Sequence, residues 1–167
     1  NGLANSFRLE AVMSEKPAQD LTEILARIPI FAELSVDQVR KVLAICGRAS
    51  FPKGKTIYAA GTPGNELLIL LKGTVSIQMP DGSEITQVVP IDTVGEMEIA
   101  SSHSRTARAV AEEAVSGLTM GQAELEGLVN VEPLIVIKVL RNIINILAEK
   151  IKSMNEQLAE KEDFKKK

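Results

Sequence analysis

One cysteine, one histidine, one tyrosine and no tryptophan occur in this chain of 167 residues, and aromatic residues make up 3% of it. Each shortage excludes something. With Cys46 alone, no internal disulfide can form, which suits a reducing compartment and a cytoplasmic location. Cys46 sits with Val42, Leu43 and Ile45 in a helical apolar pattern, the setting of a buried, inert thiol rather than a reactive one. With His103 alone, a metal centre built on several imidazoles is disfavoured. No base, nucleophile and metal set marks the chain as an enzyme, and no cofactor is expected. So few rings leave the core to Ile, Leu and Val.

Charge of one sign is also missing. Nineteen Lys and Arg against 22 Asp and Glu give a net charge of −3, without the basic excess of a nucleic-acid footprint. No direct nucleic-acid binding is expected. No apolar run reaches the ~20 residues that span a bilayer; the stretch from Leu134 to Leu140 is short and contains Lys138. No signal-peptide pattern is visible, and a chain that starts at Asn1 rather than Met reads as a piece of a larger protein. What remains, 45% hydrophobic and 25% charged, is the composition of a soluble globular domain.

Three segments are expected: a flexible arm over 1–18, a folded domain over 19–132 and a helix over 133–167. Asp20 caps a helical pattern of Leu21, Ile24, Leu25 and Ile28, which Pro29 breaks. Ser35 with Gln38 predicts a capping box. The helix it starts carries Val36, Val39, Val42, Leu43 and Cys46 on one side and ends at Gly47. From Arg48 to Met120 short runs of Val, Ile, Leu and Thr alternate with turn residues. Asp81-Gly82 between two such runs predicts a hairpin. The spacing points to a mainly β fold with flanking helices: an antiparallel β-roll of the jelly-roll kind, with helices before it and a long helix after it. A short helix is expected at about Glu96 to Ser101, strands at Arg105–Ala111 and Ala114–Met120, a switch to helix at Gly121, and a last helix starting at Pro133.

That last helix carries Ile137, Leu140, Ile144, Leu147, Ile151, Met154 and Leu158 at alternating spacings of three and four. Ile at position a with Leu at d favours a parallel two-stranded coiled coil, hence a homodimer. A second stripe, Leu134, Ile135, Val139, Ile143 and Ile146, is expected to face the β-roll. Asn142, Asn145 and Lys150 read as the polar face of the helix. The lysines of 161–167 read as a solvated end.

The segment Val94-Gly95-Glu96-Met97-Glu98-Ile99-Ala100-Ser101-Ser102-His103-Ser104-Arg105-Thr106-Ala107 brings a carboxylate acceptor and a guanidinium within ten residues. A cyclic nucleotide presents the complement, a ribose 2′-hydroxyl that donates and a phosphate whose oxygens suit the planar fork of Arg. The segment resembles the phosphate-binding cassette of the cyclic nucleotide-binding domain family. Gly61-Thr62-Pro63-Gly64-Asn65-Glu66-Leu67-Leu68-Ile69-Leu70-Leu71-Lys72-Gly73-Thr74-Val75 is similar to that family's turn, strand, glycine, strand signature, and Ile30-Phe31-Ala32-Glu33-Leu34-Ser35 to its first helical motif. The resemblance covers roughly 24–150.

It implies that Arg105 holds the phosphate, that Glu96 holds the ribose, and that Gly95 lets the backbone approach. The hydroxyl of Thr106 reaches phosphate or base, and Met97, Glu98 and Ala107 complete the ligand set. The implied ligand is cAMP, with cGMP as the other candidate. The implied function is regulatory: ligand binding repositions the last helix. Three positions depart from the family pattern. Glu98 replaces a small residue close to the phosphate, where a carboxylate repels unless it faces solvent. Arg108 replaces a Thr or small residue and reads as a partner of Glu98, Glu112 or the ligand. Ser104 replaces a proline. A second reading follows from Glu98: if it pairs with Arg105, the site is self-occupied and the domain is a ligand-free dimerisation scaffold.

Overall fold

The computed structural model describes residues 27–101 and 103–165. The expected arm and the helix from Asp20 to Leu25 lie outside them, as does Ser102 of the cassette; the side chains of the lysine-rich end are outside too. Ile28 is buried at the head of a 3-10 turn, Pro29–Phe31. Ser35 then caps α1, Val36–Ala44. Its hydroxyl accepts from the Gln38 amide and the Gln38 side chain accepts from the Ser35 amide, the capping box expected from the sequence. Val39 and Val42 are buried but Val36 is exposed. The helix ends before Gly47, not at it, because Gly47 is drawn into strand pairing with Thr119.

Eight strands follow: β1 (Gly47–Phe51), β2 (Thr56–Tyr58), β3 (Glu66–Lys72), β4 (Val75–Gln78), β5 (Glu84–Val88), β6 (Asp92–Val94), β7 (Arg108–Ala111) and β8 (Val115–Gly121). They form two four-stranded sheets in the orders β1-β8-β3-β6 and β2-β7-β4-β5. Every named pairing is antiparallel. This is the β-roll expected from the spacing of turns. The β4–β5 hairpin turns at Asp81-Gly82, where the Asp81 carboxylate accepts from the Ser83 amide at 2.8 Å. Between β6 and β7 lies α2, Glu96–Ser101; after β8 come α3, Gln122–Val129, and α4, Pro133–Lys165.

β3 explains how the layers fit. Its interior is aliphatic at every position because both of its faces are covered. Leu68 and Leu70 point between the sheets, among Val75, Val94, Ala109 and Val115. Leu67 and Ile69 point the other way, into a second cluster with Phe31, Val39, Met120, Ile135, Val139 and Ile143. Side chains alternate along a strand, so one run of leucines serves two cores. Each buried side chain of this size contributes about 1.5–3 kcal/mol.

α4 starts at Pro133, as the sequence predicts. Ile135, Val139, Ile143 and Ile146 are buried against the roll. Leu134, expected in that stripe, is 70% exposed; it sits about 100° around the axis from Ile135, off the i, i+4 row. On the far side Ile137, Ile144, Ile151, Met154 and Leu158 are exposed, and Leu140 is only slightly less so.

Polar contacts fix the helix onto the 3-10 turn. Asn142 donates to the carbonyls of Ile30 and Ala32 at 3.1 and 2.7 Å. Lys138 donates to the Glu33 carbonyl at 2.9 Å, and Arg141 pairs with the Glu33 carboxylate. Asn142 is therefore a buried anchor and not part of a polar outer face.

Candidate functional site

Arg105 is placed by its backbone. Its amide donates to the Thr62 carbonyl at 2.8 Å, and its own carbonyl accepts from the Gly61 amide at 2.8 Å. Beside it, Ser104 bridges to Pro63. These contacts fasten the residue to the turn before β3, so the strand expected from Arg105 begins only at Arg108. The side chain runs inward and is 4% exposed.

Four groups surround the Arg105 guanidinium. It stacks on the Tyr58 ring, 3.8 Å from the centroid, a favourable cation–π geometry. Nη1 donates to Glu98 Oε2 at 3.0 Å and to the Gly95 carbonyl at 3.3 Å. Nη2 donates to the Glu66 carbonyl. Nε is buried with no partner. Gly95 has φ of 90°, and a Cβ there would lie 2.3 Å from Nη1; glycine is needed for the turn and for the close approach alike. Burial, and then the Glu66 carboxylate, push the Tyr58 phenol well above its usual range.

Glu98 comes from α2 and is 7% exposed. It faces inward, toward Arg105, and not toward solvent. The turn before β3 lies directly over it, since a Cβ on Gly64 would be 2.0 Å from the Glu98 Cβ. The two side chains of the pair are almost wholly buried. Removing one partner of such a pair costs about 3–5 kcal/mol, because the other charge is left without compensation.

Glu96, the first residue of α2, is also buried. Its Oε1 accepts from Lys150 Nζ at 2.6 Å, and Oε2 has no partner. Lys150 reaches down from α4 and also donates to the Thr93 carbonyl at 3.3 Å. It is thus a cassette contact and not a residue of the helix's outer face.

The other residues singled out in the sequence stand apart from this cluster. Met97 and Thr106 are exposed, Ala107 is half-buried and His103 is exposed. Arg108 pairs with Gln78 Oε1, not with Glu98 or Glu112, because it stands opposite Gln78 in the β4–β7 register. Among the described residues no group of three or more His, Cys, Asp or Glu is placed to hold a metal ion. A cavity of about 540 Å³ opens between α4, the 3-10 turn and the β5–β6 connection, with Pro29, Ile91, Asn145 and Lys150 among its walls. Glu96, Glu98 and Arg105 do not line it. This hollow therefore lies beside the segment of Glu96, Glu98 and Arg105, whose two carboxylates are held in ion pairs with Lys150 and Arg105.

Sequence reasoning did not find Tyr58 or Glu66, and it read Lys150 as part of the polar helix face. Tyr58 and Glu66 reach Arg105 across strands, and Lys150 lies 54 residues from Glu96. No local motif records such distances.

Residues 48–132 match the model of a family described as the cyclic nucleotide-binding domain. The chain is 31% identical over 144 residues to a protein of Mycobacterium tuberculosis named as a CRP-like cAMP-activated global transcriptional regulator, covering 84% of this chain and 62% of that one. The chain thus spans less than two thirds of that relative's length. Among solved structures, the N-terminal domain of a transcriptional regulator from Streptomyces coelicolor is 28% identical, with a TM-score of 0.67, over 78% of this chain and 94% of that one. A cyclic nucleotide-binding domain from Methylobacillus flagellatus shares the fold at a TM-score of 0.76 and 23% identity, over 86% of this chain and 83% of that one.

Proposed function

The chain belongs to the cyclic nucleotide-binding domain family, and from that membership we propose that it is a regulatory sensor whose cassette binds cAMP in preference to cGMP. The observation that carries the proposal is the state of two buried side chains. Arg105 Nε and Glu96 Oε2 are both buried and both lack a partner, although buried polar atoms are nearly always bonded. They belong to the two residues that a phosphate and a ribose hydroxyl would occupy. The phosphate accepts from Arg105; the 2′-hydroxyl donates to Glu96. The preference for cAMP rests on the likeness to the mycobacterial regulator named as cAMP-activated.

The response runs through α4. A ribose hydroxyl that donates to Glu96 Oε2 draws charge from the carboxylate that holds Lys150 at Oε1, and Lys150 is carried by α4. The ligand therefore favours the arrangements in which α4 is less tightly held, and the populations shift accordingly. The heptad row on the same helix is exposed except at Leu147, which is half-buried against the roll; its exposed residues suit a second copy in a parallel coiled coil, so the signal passes to a dimer. By likeness to the mycobacterial relative, the output is control of transcription by a segment beyond this domain.

A second reading is favoured by one contact, the Arg105–Glu98 pair. In that reading the site is filled by its own glutamate, and the domain serves only to dimerise.

Calorimetry against cAMP and cGMP separates the two. Saturable binding that is lost in Arg105→Ala supports the sensor. The absence of heat and of any thermal shift with either ligand supports the scaffold.

A further inference from the structure

We infer that Glu98 sets which ligands this cassette accepts: its carboxylate is a built-in competitor that weakens phosphate binding at Arg105. The inference rests on the cassette being the ligand site, and it adds a discrimination between charged and uncharged ligands.

The charge balance of the cluster carries it. Two cations, Arg105 and Lys150, are already matched by two buried carboxylates, Glu98 at 3.0 Å and Glu96 at 2.6 Å. The Glu66 carboxylate, near Tyr58, adds further negative charge. A cyclic nucleotide brings one more negative charge to a cluster in which, among the described residues, Arg105 and Lys150 are both already paired. Buried like charges a few ångströms apart repel strongly, because little solvent screens them.

The hydrogen-bond inventory agrees. Glu98 and the Gly95 carbonyl hold Nη1, and the Glu66 carbonyl holds Nη2. Nε is left without a partner. A phosphate that approaches Arg105 must share it with Glu98 or expel Glu98. Expulsion is resisted by packing, since the turn at Gly64 lies against the Glu98 stem. A ribonucleoside without phosphate meets neither obstacle; it needs only Glu96 and a surface for its base. Glu98 therefore narrows the gap in affinity between a cyclic nucleotide and the corresponding neutral nucleoside.

The test is calorimetry of the wild-type chain, Glu98→Gln and Glu98→Ala with cAMP and with adenosine. Circular dichroism verifies that each variant is folded, and the alanine variant serves if the glutamine amide disturbs the site. Removing the carboxylate is expected to tighten cAMP by about 10-fold or more and to leave adenosine within about 2-fold. Unchanged cAMP affinity in both variants overturns the role of Glu98 while leaving the cassette assignment intact. Equal tightening of cAMP and adenosine also overturns it, since that outcome reports only a wider site. If neither ligand binds any of the three proteins, the cassette assignment falls and this inference with it.

Discussion

Lys150 of α4 donates to Glu96 of α2 across 2.6 Å. The contact joins the end of the chain to the residue that the sequence marks for ribose. The Glu96 side chain is nearly buried and the Lys150 side chain is 36% exposed, so the pair is worth less than a fully buried one. Replacing Lys150 by Met leaves Glu96 buried without its cation. The expected loss of stability is about 1–2 kcal/mol, read from urea unfolding. The same change cuts the link between Glu96 and α4, so the ligand no longer alters α4. Hydrogen exchange over 143–158, with and without cAMP, checks the second half. A ligand-induced change that persists in the variant would rule out Lys150 as the link.

Arg105→Ala removes a cation that four groups surround. Charge-assisted bonds of roughly 1.5–3 kcal/mol predict binding weaker by about 10- to 150-fold. The variant also loses stability, because Glu98 is left charged and buried. Arg105→Ala combined with Glu98→Gln should be more stable than Arg105→Ala alone. A thermodynamic cycle over the two sites isolates their coupling; a coupling near zero would mean that the contact at 3.0 Å contributes nothing.

The apolar row on α4 separates assembly from folding. Ile144 is 62% exposed and Ile151 is 59% exposed, whereas Ile143 is fully buried. Ile144→Asp with Ile151→Asp is expected to leave the circular dichroism of the domain intact and to shift sedimentation equilibrium from dimer to monomer. Ile143→Asp is expected to unfold the domain, since an unpaired charge would enter the aliphatic core. A wild-type chain that sediments as a monomer at high concentration would remove the coiled-coil proposal.

The local parts of this fold were legible in the sequence. Ser35 with Gln38 announced a capping box, Asp81-Gly82 a hairpin, Pro133 a helix start, and the segment from Gly95 to Arg105 the family. Each depends on neighbours within about a turn or a strand length, where residue type and backbone conformation are directly coupled. The misread parts depended on what the rest of the chain supplies. Gly47 looked like a helix stop until Thr119 paired with it. Arg108 looked free to reach Glu98 until the register placed it opposite Gln78. Lys150 and Asn142 looked like solvent-facing polar residues until the 3-10 turn and α2 were packed beneath α4. Glu98 was seen as a departure in the sequence, with its two outcomes, repulsion or self-pairing; only the fold shows it turned toward Arg105.

Cys46 supplies a test of packing alone. Its thiol is half-buried at the end of α1, donating to the Val42 carbonyl at 3.3 Å. Burial pushes its pKa from an ordinary 9.0 to about 12. The thiolate is the reactive form, so the folded protein should be almost inert to a thiol reagent near pH 8, while the urea-unfolded chain should react at the ordinary rate. The linkage has a definite sign. The folded state holds this proton more tightly than the unfolded state does, so the contribution to stability is complete below pH 9 and declines as pH rises from about 9 toward 12. Cys46→Ala removes this titration, and its stability curve should be flatter than the wild type's over that window. Rapid labelling of the folded wild type, or identical curves for the two proteins, would show that the thiol reaches solvent more freely than its packing indicates.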